Sequence, residues 1–292
     1  MARHSWPTPP LVSRVPGRLP HPLAREAVSW DEHGSLAVVA GGLLQSGATT
    51  ASTYAMDLRT GRTRPLPDLP VAVHDTAGSF LAGRATVIGG GNTSEQSVVQ
   101  VRRAGQWQVL GHLPAARSDL AATTGGSETF VVGGYDGSSA AVASVLASRD
   151  GRRWRTVGHL PVPVRYAATA LVGSTVWVFG GEVNHHMVDA VQRVDLATGR
   201  TRVAGHLPMA LGHSVAVRLG GQLLLAGGRT NRGTMTDRMW WFRPSSTRFH
   251  TAGRLPTPLA DTAAVAVAGA AYLVGGETPA FSDRVLRIRA GD

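Results

Sequence analysis

The chain has 292 residues, with 29 basic against 19 acidic residues, a formal net charge of +10, 43% hydrophobic residues, 36 glycines, 17 prolines and no cysteine. That balance fits a folded protein with a sizeable core and excludes a disulfide scaffold, a cysteine-ligated metal and a thiol nucleophile. Every basic residue is arginine and lysine is absent, which removes Schiff-base chemistry and the phosphate-loop lysine.

Residues 1–10 hold a proline cluster with no apolar run and no small-residue cleavage site, so they read as a flexible tail and not as a signal peptide. The sequence as given is expected to be cytoplasmic, or extracytoplasmic where a leader has been removed. The longest apolar stretch, Ala263–Val274, falls short of the roughly 20 residues that a membrane-spanning helix needs. No membrane span is expected.

From residue 11 onward the sequence repeats itself. Leu-Pro occurs at Leu19, Leu69, Leu113, Leu160, Leu207 and Leu255, spaced 50, 44, 47, 47 and 48 residues apart. A Gly-Gly pair follows a short apolar run at Gly41, Gly89, Gly133, Gly180, Gly227 and Gly275, spaced 48, 44, 47, 47 and 48. The two markers keep step, so one unit recurs six times, with boundaries near 19–66, 69–110, 113–157, 160–204, 207–252 and 255–292.

Each unit reads as four short antiparallel strands. In unit four, Tyr166–Val172 and Thr175–Phe179 flank the turn Gly173-Ser174, and Val188–Val194 and Arg200–Val203 follow. Nothing of length has helical periodicity, and the turns carry the Gly, Asp, Asn and Pro that hairpins demand. The Gly-Gly pairs are not a phosphate cradle, because no helix follows them. Small residues at Ala121-Ala122, Ala167-Ala168 and Ala263-Ala264 mark an inner strand packed near an axis.

Six four-stranded units of this length predict an all-β, six-bladed propeller. The Gly-Gly pairs after the second strand, the fourth-strand aromatics Trp107, Trp154 and Phe249, and the Leu-Pro crossings carry a resemblance to the kelch-repeat family, in the manner of a bacterial kelch-like protein. It spans essentially the whole chain, although Thr63 and Thr201 stand where two of the aromatics belong.

The sixth unit runs out after three strands, the third at Arg284–Ile288. In complete units the fourth strand begins six residues before Leu-Pro, with Gly two before it, and Ser13, Gly17 and Leu19 keep that spacing. Residues 11–15 are therefore expected to close the last blade and remove an open sheet edge.

Chemistry is expected at one end of the central channel, where first strands start and second strands end. Six residues after each Leu of Leu-Pro stand Arg25, Asp75, Asp119, Tyr166, His213 and Asp261; directly after each Gly-Gly stand Leu43, Gly91, Tyr135, Glu182, Arg229 and Glu277. Two arginines against five carboxylates give these positions a formal −3 inside a protein of +10. The expectation is an acidic mouth that binds a small polar ligand or a protein partner through Arg25, Asp75, Asp119, Tyr135, Tyr166, Glu182, His213, Arg229, Asp261 and Glu277. A plainer reading stays open beside it, in which each Asp only bonds nearby backbone amides.

His185 and His186, with Glu182 and Asp189, crowd one loop. Asp189 has equivalents at Asp237 and Asp283, and adjacent strand residues face opposite sides, so no metal and no cofactor are assigned. His112, His159 and His206 share one register before Leu-Pro and read as a turn position. The arginines cluster on outer strands and their turns, such as Arg64, Arg155, Arg202 and Arg248. They read as solvated edge protection, and without a recognition helix or aromatic platform nucleic acid is not expected as a partner.

The resemblance implies a non-catalytic binding or interaction module, monomeric by default. It also implies an alternative, a sugar-directed acid/base enzyme of the epimerase or mutarotase kind, with Glu182, Glu277, Asp261 and His213 as candidate catalysts. Galactose oxidase chemistry needs a cysteine linked to a tyrosine and is excluded here. A ubiquitin-ligase adaptor needs an added oligomerisation domain, for which the repeats leave no residues.

Overall fold

Short strands with apolar residues on both faces can be buried only between other sheets. In the computed structural model, which describes residues 6–30, 36–138, 140–219 and 221–291, they assemble into six four-stranded antiparallel sheets, and no helix occurs among the described residues. The first strand of each blade packs against the first strands of both neighbours, which closes the six blades around one hub.

Blade four shows the plan: Ala168–Val172 at the hub, then Thr175–Phe179, Ala190–Asp195 and Thr201–His206 at the rim. The expected strand start at Tyr166 is corrected. Tyr166 has φ of +53°, outside extended geometry, and the ladder begins two residues later. The second strands are almost wholly buried, as in Val176–Phe179 and Ala270–Val274, because both of their faces are covered. Along Met239–Phe242, Trp240 and Phe242 pack toward blade four and Met239 and Trp241 toward blade six. Each of the six apolar clusters lies between two adjacent blades.

The two sequence markers prove to be parts of one contact. Each Leu of Leu-Pro is buried at 3–5% exposure, and each donates its amide to a carbonyl just before the third strand, as in Leu207 N to Asp189 O at 2.7 Å. The Leu207 side chain reaches Gly180 of the Gly-Gly pair. A Cβ at Gly180 would lie 2.1 Å from the Leu211 carbonyl oxygen, and φ is +57° there and +109° at Gly181. Only glycine meets both demands. Asp189, Asp237 and Asp283, expected as structural residues of the repeat, pair with His206, Arg254 and Arg18, each standing just before Leu-Pro.

Closure is as expected. Leu11–Arg14 pairs antiparallel with Val285–Arg289 and supplies the outer strand of blade six, with Val15 buried beneath it. Residues 6–10, expected to belong to a free tail, lie against the sheet instead. The Trp6 ring stacks on His250 at 5.2 Å with the Arg243 guanidinium 4.2 Å from its centre; residues 1–5 lie outside the described residues. The ladders of the outer strands in blades two to five carry register shifts, for example between Val99 and Gln100. Such bulges disfavour edge-to-edge pairing with another sheet.

One core position breaks the repeat. Leu23, Val73, Val164, Leu211 and Leu259 are buried at equivalent places, but blade three puts Arg117 there, 4% exposed, with Nη1 donating to Gly133 O and Ser144 Oγ and Nε without a partner. Burial lowers its pKa, offset in part by Asp136.

Two outcomes follow from the packing. Deleting residues 1–17 reopens a sheet edge and exposes core, so differential scanning calorimetry should show a melting temperature lower by on the order of 10 °C; an unchanged melt would mean that the strand does not hold the ring shut. Arg117→Leu restores the apolar residue of the other blades and should raise the melting temperature by about 3 °C or more, because replacing a buried, poorly paired charge with a well-packed hydrophobe commonly stabilises.

Candidate functional site

The residue six places after each Leu of Leu-Pro adopts a left-handed conformation: Arg25 (φ 61°), Asp75 (49°), Asp119 (57°), Tyr166 (53°), His213 (57°) and Asp261 (51°). This geometry turns both backbone groups along the circumference of the hub. Asp75 N donates to Arg25 O (3.0 Å), Asp119 N to Asp75 O (2.9 Å), Tyr166 N to Asp119 O (2.9 Å), His213 N to Tyr166 O (2.9 Å), Asp261 N to His213 O (3.1 Å) and Arg25 N to Asp261 O (3.1 Å). The bonds close into a ring with one residue from each blade.

The residue after each Gly-Gly pairs with the residue just before the ring, as in Glu182 with Arg165 and Arg229 with Gly212. Both expected sets of six therefore stand at one end of the channel. Leu43 and Gly91 bring no polar side chain. Tyr135 joins through Arg165, whose guanidinium lies 5.2 Å from the Tyr135 ring centre and 5.6 Å from that of Tyr166. The other nine expected binding residues are in mutual contact.

These contacts alternate in charge. Arg165 lies 3.5 Å from Asp119 and bonds Glu182; Glu182 Oε2 is 3.6 Å from His213 Nε2; His213 Nδ1 is 2.5 Å from Asp261 Oδ1. Arg229 Nε is 3.1 Å from Asp261 Oδ2 and its Nη2 bonds Glu277, whose Oε1 is 3.0 Å from Arg25 Nε. Arg25 Nη1 is 3.1 Å from Asp75 Oδ2. Arg165 was not among the expected residues, and it moves the balance of the mouth toward neutrality. Its signal in the sequence is its place directly before a ring position, where His74 also stands, 3.6 Å from Asp75.

Burial disfavours a charged His213, but the Asp261 charge and the bonds to Asp261 and Glu182 carry the imidazolium up to about 9. The His213 hydrogen bond, and then Arg165, hold Glu182 down to about 2 against the effect of its burial. Burial would raise Asp261, yet His213, Arg25 and Arg229 keep it below the ordinary carboxylate range. Burial pushes Asp75 up to about 6 despite Arg25, and burial with the Asp75 charge pushes Asp119 up to about 7. The Tyr166 phenol, raised by burial and by Asp75 and Asp119, stays protonated.

Arg25 and Tyr166 belong to opposite blades, and their side chains meet at 3.4 Å, which covers the channel. The Tyr166 ring stacks on His213 with centroids 3.9 Å apart. Beneath this cover lies a cavity of about 120 Å³. It continues into chambers of about 190 and 290 Å³ through shared lining residues such as Thr76 and Ser214, then Val28 and Thr169. Glu26, also absent from the expected residues, lines the first two spaces; it is 4% exposed, and burial holds its pKa well above the usual range against the effect of its own and the Ala263 backbone amides.

His185 sits in the turn of a small hairpin, Glu182–Val183 with His186–Met187, at φ of +64°, with Nδ1 3.3 Å from Arg165. It extends the rim of the mouth, and His186 points into solvent. His112, His159 and His206 are exposed and separate, and the expected turn position is corrected: each is the last residue of the fourth strand of its blade.

A model of the kelch-repeats domain of KLHDC2, KLHL20 and DRC7 matches residues 82–276. The chain belongs to the kelch-repeat family. The solved structure of YjhT superposes with a TM-score of 0.78 over 95% of this chain and 99% of that one at 16% identity, a likeness of fold. No curated protein matches the chain. Kelch propellers serve in general for protein interaction or ligand binding, and no helix among the described residues is long and apolar enough to cross a membrane.

The charged His213 gives stability a definite pH dependence. Its folded pKa of about 9 lies above the ordinary histidine value of 6.5, so its contribution is complete below about 6.5 and is lost as pH rises through about 9. The melting temperature of the native chain should fall across that window, and the fall should be visibly smaller in His213→Asn, which keeps a residue tolerant of positive φ. Parallel pH profiles would mean that His213 is not held as a cation.

Proposed function

We propose that this kelch propeller is a non-catalytic binding module whose ligand, a small polar molecule or a protein segment, seats at the ring end of the channel. One observation carries the reading. The chain places 25 described glycines at positive φ, yet none of the six ring positions, which all demand positive φ, is glycine. Arg, Asp, Tyr or His there costs on the order of 1 kcal/mol each relative to glycine, more for Arg25 and Tyr166 than for the aspartates. Closing the backbone ring needs no side chain, and the buried ion pairs that these side chains make with one another are by themselves weak grounds for stability. A ligand met by the same side chains supplies a reason to keep them.

The alternative, a sugar-directed acid/base enzyme at the same mouth, draws its support from Asp119 and Asp75, the carboxyls pushed toward neutrality. Glu182 and His213 are less suited to proton transfer at neutral pH, since Glu182 is held near 2 and His213 near 9.

Thermal-shift and calorimetric titrations across sugars, amines and short peptides test the binding reading. A ligand should bind saturably without turnover, and Arg229→Ala should weaken it by at least about tenfold while Arg202→Ala on the rim leaves it unchanged. Binding that depends on Arg202 and not on Arg229 would move the site to the outer strands. Turnover lost in Asp119→Asn with binding intact would favour the enzyme.

A further inference from the structure

The mouth carries an ion pair across five of its six blade junctions: Arg25 with Asp75, Arg165 with Asp119, His213 with Glu182, Arg229 with Asp261, and Arg25 with Glu277. The junction between blades two and three has none among the described residues. There Asp75 and Asp119 are consecutive members of the backbone ring, and their guanidinium partners, Arg25 and Arg165 respectively, come from blades one and four.

Among the described residues no cation spans this gap. His74 Nε2 lies 3.6 Å from Asp75 Oδ2, but His74 belongs to the same blade as Asp75, its Nδ1 is bonded to Thr49 at 2.8 Å, and burial with the Arg25 charge lowers its pKa against the pull of Asp119 and Glu95. Ser118 and the Tyr166 hydroxyl face Asp119 as neutral donors. Asp261 and His213, which also face Asp75, are already engaged with each other. Burial first, and then the Asp261 charge on Asp75 and the Asp75 charge on Asp119, carry these carboxyls up to about 6 and about 7.

A further side chain at the same cavity lacks a partner. Ser214, 8% exposed, lines the space that Asp75 and Asp119 line, and its Oγ is not hydrogen-bonded. Its counterparts Thr76 and Thr262 bond carbonyls of their own blades, Ile88 O at 2.9 Å and Val274 O at 2.8 Å. Glu26 lines the space as well, with its carboxyl toward Gly275 and the Ala263 amide. Buried polar groups without partners are uncommon, and Ser214 shares the cavity with the two aspartates.

We propose that the Asp75–Asp119 junction receives a primary ammonium or guanidinium group of the ligand, which supplies the missing cation and completes the alternating ring. An organic cation fits better than a metal ion. Among the described residues no group of three or more His, Asp or Glu side chains could hold a metal. The Tyr135 and Tyr166 rings already accept one guanidinium, that of Arg165, against their faces.

This inference rests on the mouth being the binding site, and the test separates the two. Calorimetric titrations with n-propylammonium, methylguanidinium and the blocked tripeptide Gly-Lys-Gly, set against neutral urea, distinguish a free amine from a basic peptide side chain. At least one cation should bind saturably and urea should not. Binding should weaken by at least about tenfold in Asp75→Asn and in Asp119→Asn, both of which keep a residue tolerant of the left-handed conformation. It should persist in Asp136→Asn, an exposed rim carboxylate, and decline as pH falls from about 7 through about 6. Melting curves establish that each variant is folded. A ligand that needs Arg229 but ignores both aspartate substitutions would overturn the cation assignment and leave the mouth as the site. Cations that bind no better than urea would overturn it too, as would their displacement by magnesium or zinc ions competing for the same two aspartates. Failure of every ligand at the mouth would sink the binding reading beneath it.

Discussion

Six amide-to-carbonyl bonds of 2.9–3.1 Å, passing from blade to blade and closing on Arg25, form the constraint on which the rest depends. They connect residues more than 40 positions apart in sequence, and each exists only because its residue stands at positive φ. Were one of these residues to relax to an ordinary strand conformation, its amide and carbonyl would turn away from the circumference. The ring would then hold an unpaired donor and acceptor beside the channel, each costing on the order of 1–3 kcal/mol. The ring therefore fixes where every first strand begins and places six side chains at one end of the hub.

The ring does not act alone. The second glycine of each Gly-Gly pair donates to the carbonyl two residues before the next ring position, as Gly42 does to Val73 at 2.8 Å and Gly276 to Leu23 at 2.8 Å. The first glycine at Gly41, Gly89, Gly180 and Gly227 leaves room for the Leu of Leu-Pro, whose amide pins the start of the third strand. Glycine pair, leucine and ring residue thus form one joint, repeated at each blade boundary. Repeat proteins usually carry their stability as a line of neighbour contacts with weak ends. Here the N-terminal strand removes the ends, and Trp6 against His250 and Arg243 reinforces the seam.

Much of this was legible in the residues because the joint leaves fixed spacings: Leu-Pro, Gly-Gly and the offset of six to the ring survive unchanged where the loops between them vary. The left-handed conformation was not legible. Arg25 and Tyr166 are poor markers of positive φ, so Tyr166 read as the start of a strand. Nor was the pairing of charge, since a count over twelve positions gives excess acid without saying which cation lies between which anions. Arg165 and His74 escaped because they precede the ring by one residue, and no spacing rule singled that place out. Glu26 escaped for the opposite reason: it follows the ring where Thr76, Leu120, Ala167, Ser214 and Thr262 stand, a slot whose chemistry does not repeat. Arg117 stood in view among Leu23, Val73, Val164, Leu211 and Leu259, and its mismatch becomes meaningful only once burial is known.

The exclusive use of arginine gains a reason at the mouth. Each cation there must reach two carboxylates in different directions: Arg25 reaches Glu277 through Nε and Asp75 through Nη1, Arg229 reaches Asp261 through Nε and Glu277 through Nη2, and Arg165 reaches Glu182 and Asp119. A planar guanidinium with fixed, divergent donors bridges such pairs and remains charged when buried; an ammonium on a flexible stem does neither as well. His213, the fourth bridging cation, works the same way through its two ring nitrogens, between Asp261 and Glu182. Because each of these cations is already shared between two carboxylates, swinging one across the Asp75–Asp119 junction would break a pair elsewhere. The arrangement that spans the other five junctions is the one that leaves the sixth without an ion pair across it.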